Sequence, residues 1–157
     1  MIRNEENCKI KFFYSILGLL LGVFYREFTK INGFTEYTVL SGLHTHVLVS
    51  GVFFLLILLL LEKTFELTKD KKFNIFFITY NIGLLLSVIM MAIRGCVEVL
   101  NLDISSMTDF SISGIAGISH IIMTIAYILF FLILLDRIND ADSKKSRLLL
   151  ILVQLII

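Results

Sequence analysis

The chain has 157 residues, of which 57% are hydrophobic and only 17% charged, and its mean hydropathy is +0.91. These values exclude an ordinary soluble globular domain, and they indicate a polytopic membrane protein. The net charge of +1 offers no basic surface for a polyanion, and no nucleic-acid-binding motif is present, so we expect no nucleic-acid partner.

Four apolar stretches are long enough to cross a bilayer, which requires roughly 20 residues per helix. They are too long and too poorly alternating to be barrel strands. The sequence therefore predicts an all-α fold, a four-transmembrane-helix bundle with short loops, in a single membrane domain over residues 1–157. The predicted helices are residues 10–29, 37–61, 73–95 and 110–135.

Two segments follow the fourth predicted helix. Residues 136–147 are charged and are predicted to form a solvated tail. Residues 148–157 are apolar but too short to span. They fit an interfacial segment, a contact with another subunit or part of a fifth helix, and the sequence does not choose among these.

The distribution of basic residues predicts the orientation. Lys63, Lys69, Lys71 and Lys72 lie between the second and third helices, whereas Arg94 stands alone after the third. By the positive-inside rule, this predicts a multi-pass protein of the plasma membrane with both termini in the cytoplasm.

All three histidines, His44, His46 and His120, lie within the apolar stretches. Chargeable side chains at bilayer depth are costly and usually face a bundle interior, where they serve a site. His44 and His46 are two residues apart, about 200° round a helix, so they cannot face the same way. We therefore expect two separate roles for them.

His46 and His120 are predicted to lie at the same depth. Each is nine residues beyond the start of its helix, counted from Tyr37 and from Ser111, which is about 13 Å at 1.5 Å per residue. The two helices run in the same direction, so both imidazoles reach one level of the bundle. This predicts that the two rings face a common cavity.

A b-type haem fits these residues, because haem takes two axial imidazoles that bundles supply from facing helices. His46 and His120 are the predicted axial pair, with Gly42 and Gly117 about one turn outward to make room for the ring. His44 then has a supporting role or belongs to a second site.

Two arginines at the outer side, Arg94 and Arg26, are predicted to neutralise the haem propionates. Glu98, one turn after Arg94, is its expected ion-pair partner. The predicted function is electron transfer, or haem or gas sensing, with the lipid bilayer and either a redox partner or a second copy of the chain as partners. No catalytic residue is predicted, because Ser50 and Ser119 lack a carboxylate that would orient a histidine base.

Two alternatives remain. Imidazoles also suit zinc or copper, in a metal site or a permease. Otherwise the histidines are neutral and hydrogen-bonded, no cofactor is bound, and the chain is an interaction protein. Met90 and Met91 invite a copper hypothesis, but core packing is the favoured role for this pair.

Four segments together resemble an uncharacterised family of small four-helix bacterial membrane proteins that carry a domain of unknown function. They are Gly22 to Phe28, Leu43 to His46, Arg94 with Gly95, and Ser113 to His120. The run from His44 to His46 is also similar to the His-x-His helix of haem-copper oxidase subunit I, whose two histidines ligate different haems. Three histidines are too few for all the metal centres of that subunit, so oxygen reduction is not implied.

Overall fold

The computed structural model describes the backbone of residues 2–156 and the side chains of residues 9–143. Four helices follow one another in the chain, and each contains a stretch long and apolar enough to cross a membrane. These are α1 (Ile2–Ile31), α2 (Leu40–Phe65), α3 (Phe73–Val99) and α4 (Ser106–Ile156). The expected all-α, four-helix membrane fold is confirmed.

Successive helices run antiparallel. Gly22 of α1 faces His44 of α2, and Gly18 faces Leu48, so the two chains run past each other in opposite directions. Gly83 of α3 likewise lies against Met123 of α4. We refer to the two ends of the bundle as the Lys72 end, where α2 joins α3, and the Arg94 end, where α1 joins α2 and α3 joins α4.

A cluster of aromatic rings fills the bundle toward the Lys72 end. The ring of Phe54 in α2 stacks on Tyr80 of α3 at a centroid separation of 4.7 Å, and it contacts Phe130 of α4 edge-on at 5.4 Å. Phe76 and Tyr80 are 0% exposed. Edge-on and offset contacts suit the charge distribution of aromatic rings, so three helices are fixed at this depth.

Helix α2 is not a regular α-helix along its length. The segment Leu40–His46 is α-helical, Val47–Phe53 is π-helical and Phe54–Phe65 is again α-helical. Tyr80 donates a 2.7 Å hydrogen bond from its hydroxyl to the carbonyl oxygen of Ser50, inside the π-helical segment. A π-helical turn follows directly after His46, and such turns are frequent at functional sites.

Replacing Tyr80 with phenylalanine is expected to destabilise the protein by about 1–3 kcal/mol, because the Ser50 carbonyl loses a donor in a site that water does not reach. Denaturation by SDS in mixed micelles, followed by far-UV circular dichroism, measures the change. Tyr37→Phe is the matched control, since Tyr37 is 84% exposed. Equal stability of the two variants would show that the bond contributes nothing.

The start of α2 is docked on the end of α3. Glu98 accepts a 2.9 Å hydrogen bond from the backbone N–H of Val39, one of the amides that a helix start leaves unpaired. Glu98 is therefore a cap for α2, and its predicted ion pair with Arg94 is wrong. Arg94 instead pairs with Asp109, at the beginning of α4.

Arg137 closes the opposite end of α2. Its Nε donates a 3.1 Å hydrogen bond to the carbonyl oxygen of Phe65, the last residue of the helix. The following residue, Glu66, takes a left-handed conformation with φ of 54°, and its Oε2 lies 3.8 Å from Nη2 of Arg137. A cation at a helix C-terminus is favourable, because the last carbonyls carry partial negative charge.

Helix α4 is much longer than a bilayer is thick. Its 51 residues span about 76 Å at 1.5 Å per residue, against a hydrocarbon core of about 30 Å. The segment predicted as a charged tail, residues 136–147, has a helical backbone that continues α4. The backbone remains helical to Ile156, while the side chains of the predicted apolar segment 148–157 lie outside the described residues.

Candidate functional site

A cavity of about 480 Å³ lies between α2, α3 and α4, toward the Arg94 end. Both histidines of the predicted axial pair line it, His46 from α2 and His120 from α4. Most of the remaining wall is apolar, and Arg94 adds a single cation. The lining includes His46, Met90, Met91, Arg94, Ala116 and His120. A volume of this size is typical of small-molecule and cofactor sites.

The ring of His120 has a defined tautomer. Its Nδ1 lies 2.8 Å from the carbonyl oxygen of Ala116, one turn earlier in α4. A carbonyl only accepts, so Nδ1 carries a proton and donates it, and in the neutral imidazole the lone pair is then on Nε2. A hydrogen bond from the ring nitrogen that does not bind the metal is the usual way in which a protein orients a ligating imidazole.

The ring of His46 contacts the neighbouring helix α3. Its Nε2 lies 3.4 Å from the Oγ of Ser87, a residue of α3 that is only 2% exposed. The serine hydroxyl can donate or accept, and so it suits either tautomer of the imidazole. This contact holds the His46 ring on the α3 side of α2.

His44 lies on a different face of α2, as its spacing from His46 predicts. A Cβ at Gly22 of α1 would lie 3.7 Å from its Cγ, so the imidazole packs on the α1 backbone. Its Nε2 lies 3.3 Å from the hydroxyl of Thr45, and its buried Nδ1 has no hydrogen-bond partner among the described residues. The structure thus separates His44 from the cavity.

Arg94 is held at the boundary between the cavity and the loop that precedes α4. One guanidinium nitrogen pairs with the carboxylate of Asp109, and the other donates a 2.9 Å hydrogen bond to the Oγ of Ser113. Its side chain is 31% exposed. The apolar cavity therefore has a fixed cation at one end, where an anionic group of a ligand can pair with it.

Of the three other residues predicted for the haem site, one lies beside the cavity and two do not. Gly42 faces the cavity wall, because a Cβ there would lie 3.9 Å from Cε of Met91. A Cβ placed at Gly117 would meet no atom within 4 Å, and this glycine lies about 100° round α4 from Ala116, so it faces away. Arg26 is on α1, 80% exposed and 3.9 Å from Glu27, and it is not brought to the cavity.

Sequence reasoning missed Ser87, Asp109 and Ser113. A helical stripe could have found the first, because Ser87, Met90, Met91 and Arg94 recur at intervals of three and four residues on α3. Asp109 and Ser113 follow the same rule with Ala116 and His120 on α4. Their pairing with Arg94 depends on the loop between the helices, which the sequence pattern does not fix.

Among side chains 9–143, no three His, Cys, Asp or Glu residues come together in a group that could hold a metal ion. A bare zinc site usually takes three or four protein ligands. Haem needs only two from the protein, because the porphyrin supplies the rest.

The fold and this cavity define a small α-helical membrane protein in which two histidines line one open cavity. His46 is partly buried, whereas His120 is exposed on α4. Residues 5–137 match the sequence model of DUF2871, a family described as "Protein of unknown function". The chain belongs to this family, which confirms the expected membership of an uncharacterised family. No curated protein and no solved structure matches the chain.

Proposed function

We propose that the chain binds b-type haem between α2 and α4, and that it serves in electron transfer or in haem or gas sensing. The observation that carries the proposal is the cavity that His46 and His120 line together. His46 and His120 would hold the haem through their imidazoles, and the bound group would supply one-electron redox chemistry.

The hydrogen bonding of His120 suits a ligand to this group. Its Nδ1–H is donated to the Ala116 carbonyl, so in the neutral ring Nε2 carries the lone pair that a metal requires. To ligate through Nε2, His46 would give up its 3.4 Å contact with Ser87. Met90 and Ala116 would provide apolar walls against part of a macrocycle. Arg94 would pair with a propionate, sharing or exchanging its contact with Asp109.

The orientation of the chain supports a cavity that opens toward the outer leaflet. Lysines 63, 69, 71 and 72 concentrate at or next to the Lys72 end, which by the positive-inside rule faces the cytoplasm. The Arg94 end then lies outside.

The proposal predicts a red protein. Expression with a haem precursor and purification in detergent are expected to give a Soret band at close to one haem per chain. His46→Ala and His120→Ala are expected to abolish this band, because each removes one axial ligand. His44→Ala is the matched control and is expected to retain the band, since that ring packs on α1 rather than in the cavity.

Far-UV circular dichroism and gel filtration of each variant separate loss of haem from loss of fold. A colourless wild-type protein with stoichiometric zinc or copper would overturn the proposal in favour of a metal site. A folded protein without haem or metal would overturn it in favour of an interaction protein. Equal haem loss in all three histidine variants would contradict the assigned ligand pair.

A further inference from the structure

A second cavity lies on the other side of the bundle, between α1 and α3. Its volume is about 370 Å³, within the range of small-molecule sites. The lining is almost entirely apolar, with aromatic rings at Phe13, Tyr14 and Phe77 and aliphatic side chains at Ile82 and Leu85. Ile82 is 53% exposed, so the groove opens at the lipid-facing surface.

One polar pair interrupts this apolar wall. The hydroxyl of Tyr14 donates a 2.9 Å hydrogen bond to Oδ1 of Asn81, and Nδ2 of Asn81 donates a 2.7 Å hydrogen bond to the carbonyl oxygen of Phe77. A carbonyl only accepts, so the orientation of the amide is fixed. One N–H of Asn81 is left without a partner among the described residues.

The pair is rigidly placed. Tyr14 is 2% exposed, and its ring lies directly on the backbone of α2, where a Cβ at Gly51 would be 2.7 Å from its Cγ. The hydroxyl cannot leave Asn81 without moving that ring. The amide is therefore held in one orientation beside the groove, as a binding site requires.

The depth of Asn81 restricts what can accept its remaining N–H. It lies eight residues after Phe73, about 12 Å along α3 from the Lys72 end. Water does not reach the hydrocarbon layer, where an unpaired amide hydrogen is costly. The ester carbonyls of phospholipids lie at the interface, too shallow to meet it. An uncharged, lipid-soluble molecule that carries a carbonyl into this layer can supply the acceptor.

We propose that this groove binds an isoprenoid quinone, with one ring carbonyl accepting the remaining N–H of Asn81. The flat ring packs among Phe13, Tyr14 and Phe77, and the isoprenoid tail leaves past Ile82 into the lipid. The inference is independent of the haem proposal. The two sites share one helix, since Asn81 and Ser87, the contact of His46, are six residues or about 9 Å apart along α3.

Photoaffinity labelling tests the proposal. The probe is an azido-naphthoquinone with a short isoprenoid tail, added to the purified full chain in phosphatidylcholine nanodiscs. We expect labelled peptides from α1 around Phe13 and from α3 between Phe77 and Leu85. We also expect an excess of the unmodified naphthoquinone to reduce this labelling at least about tenfold.

Two variants probe the contacts. Asn81→Leu is expected to weaken binding about tenfold, the effect of losing one hydrogen bond to the ligand. Asn74→Leu, the same substitution at an exposed position of α3, is the control and is expected to leave binding unchanged. Ile82→Trp fills the groove without touching the hydrogen bonds, so it tests the site even if Asn81→Leu fails to fold.

Labelling spread evenly over all four helices, or unchanged in both groove variants, would overturn the proposal. A phospholipid that copurifies in the groove and is not displaced by naphthoquinone would also overturn it. The absorbance of the same samples keeps the two proposals apart. A red protein that takes no label contradicts only the quinone site, and a colourless protein that is labelled contradicts only the haem.

Discussion

Replacing Gly95 with alanine is expected to destabilise the protein by about 3 kcal/mol, at the upper end of the usual cost of overpacking. A Cβ at this position would overlap Cγ of Leu40 and lie 2.9 Å from the backbone nitrogen of the same residue. The leucine side chain is 0% exposed and has no space to move into. The backbone of Leu40 belongs to the start of α2, so it cannot move away from the added methyl group as the end of a flexible side chain would.

The start of α2 is fixed from several directions, so the strain cannot relax locally. The N–H of Leu40 donates a 3.3 Å hydrogen bond to the Oγ1 of Thr38, and Glu98 holds Val39. Val39 also lines the His46 cavity, so a shift of this segment is expected to alter the cavity as well. Denaturation by SDS in mixed micelles measures the loss of stability.

Gly114→Ala is the control for this substitution. No atom lies within 4 Å of a Cβ placed at Gly114, and alanine is the better helix former by about 1 kcal/mol. We expect the variant to be as stable as wild type or slightly more stable. Similar denaturation of the Gly95 and Gly114 variants would mean that α2 and α3 do not approach as closely as described.

The four membrane helices could be predicted from the sequence because length and apolarity alone decide them. A backbone in hydrocarbon must satisfy its own hydrogen bonds, so an apolar stretch of sufficient length becomes a helix. The ends of the helices were less accessible. Residues 96–99 extend α3 beyond the predicted stretch, because Glu98 is used to cap α2 and no longer marks a solvated loop.

For the site, helical rotation separated His44 from His46, at 100° per residue. Helical rise did not place His46 and His120 at one depth as counted. The count assumed helix starts at Tyr37 and Ser111, whereas α2 begins at Leu40 and α4 at Ser106, six and 14 residues before the two histidines. The partner of Arg94 depends on how α3 and α4 are joined, and for that reason Asp109 could not be chosen over Glu98.

The π-helical segment of α2 was also beyond the sequence pattern, and it leads to the second large prediction. A π-helical turn arises where a helix accommodates one residue more than a regular α-helical turn. Val49 lies in this segment and is 54% exposed. Deleting it is therefore expected to leave a regular α-helix in which the residues before and after the segment keep their present contacts. The expected cost is about 1–3 kcal/mol, the cost of losing the hydrogen bond between Tyr80 and Ser50.

Deleting Ile89 is the matched control, because it is 52% exposed and lies in the regular helix α3. There the deletion turns everything beyond it by about 100°. Gly95 would leave Leu40, and Met90 and Arg94 would leave the cavity, so we expect this variant not to fold. Far-UV circular dichroism and gel filtration in detergent compare the two deletions.

Equal loss of fold in both deletions would contradict the idea that the π-helical segment absorbs one extra residue. The expected difference between them has a consequence for the site. The π-helical segment begins directly after His46 and contains Gly51, which packs on Tyr14. The extra residue in this segment changes the angle between the side of α2 that carries His46 and the side that carries Gly51. One helix can then present His46 to α3 and α4 while packing Gly51 against α1.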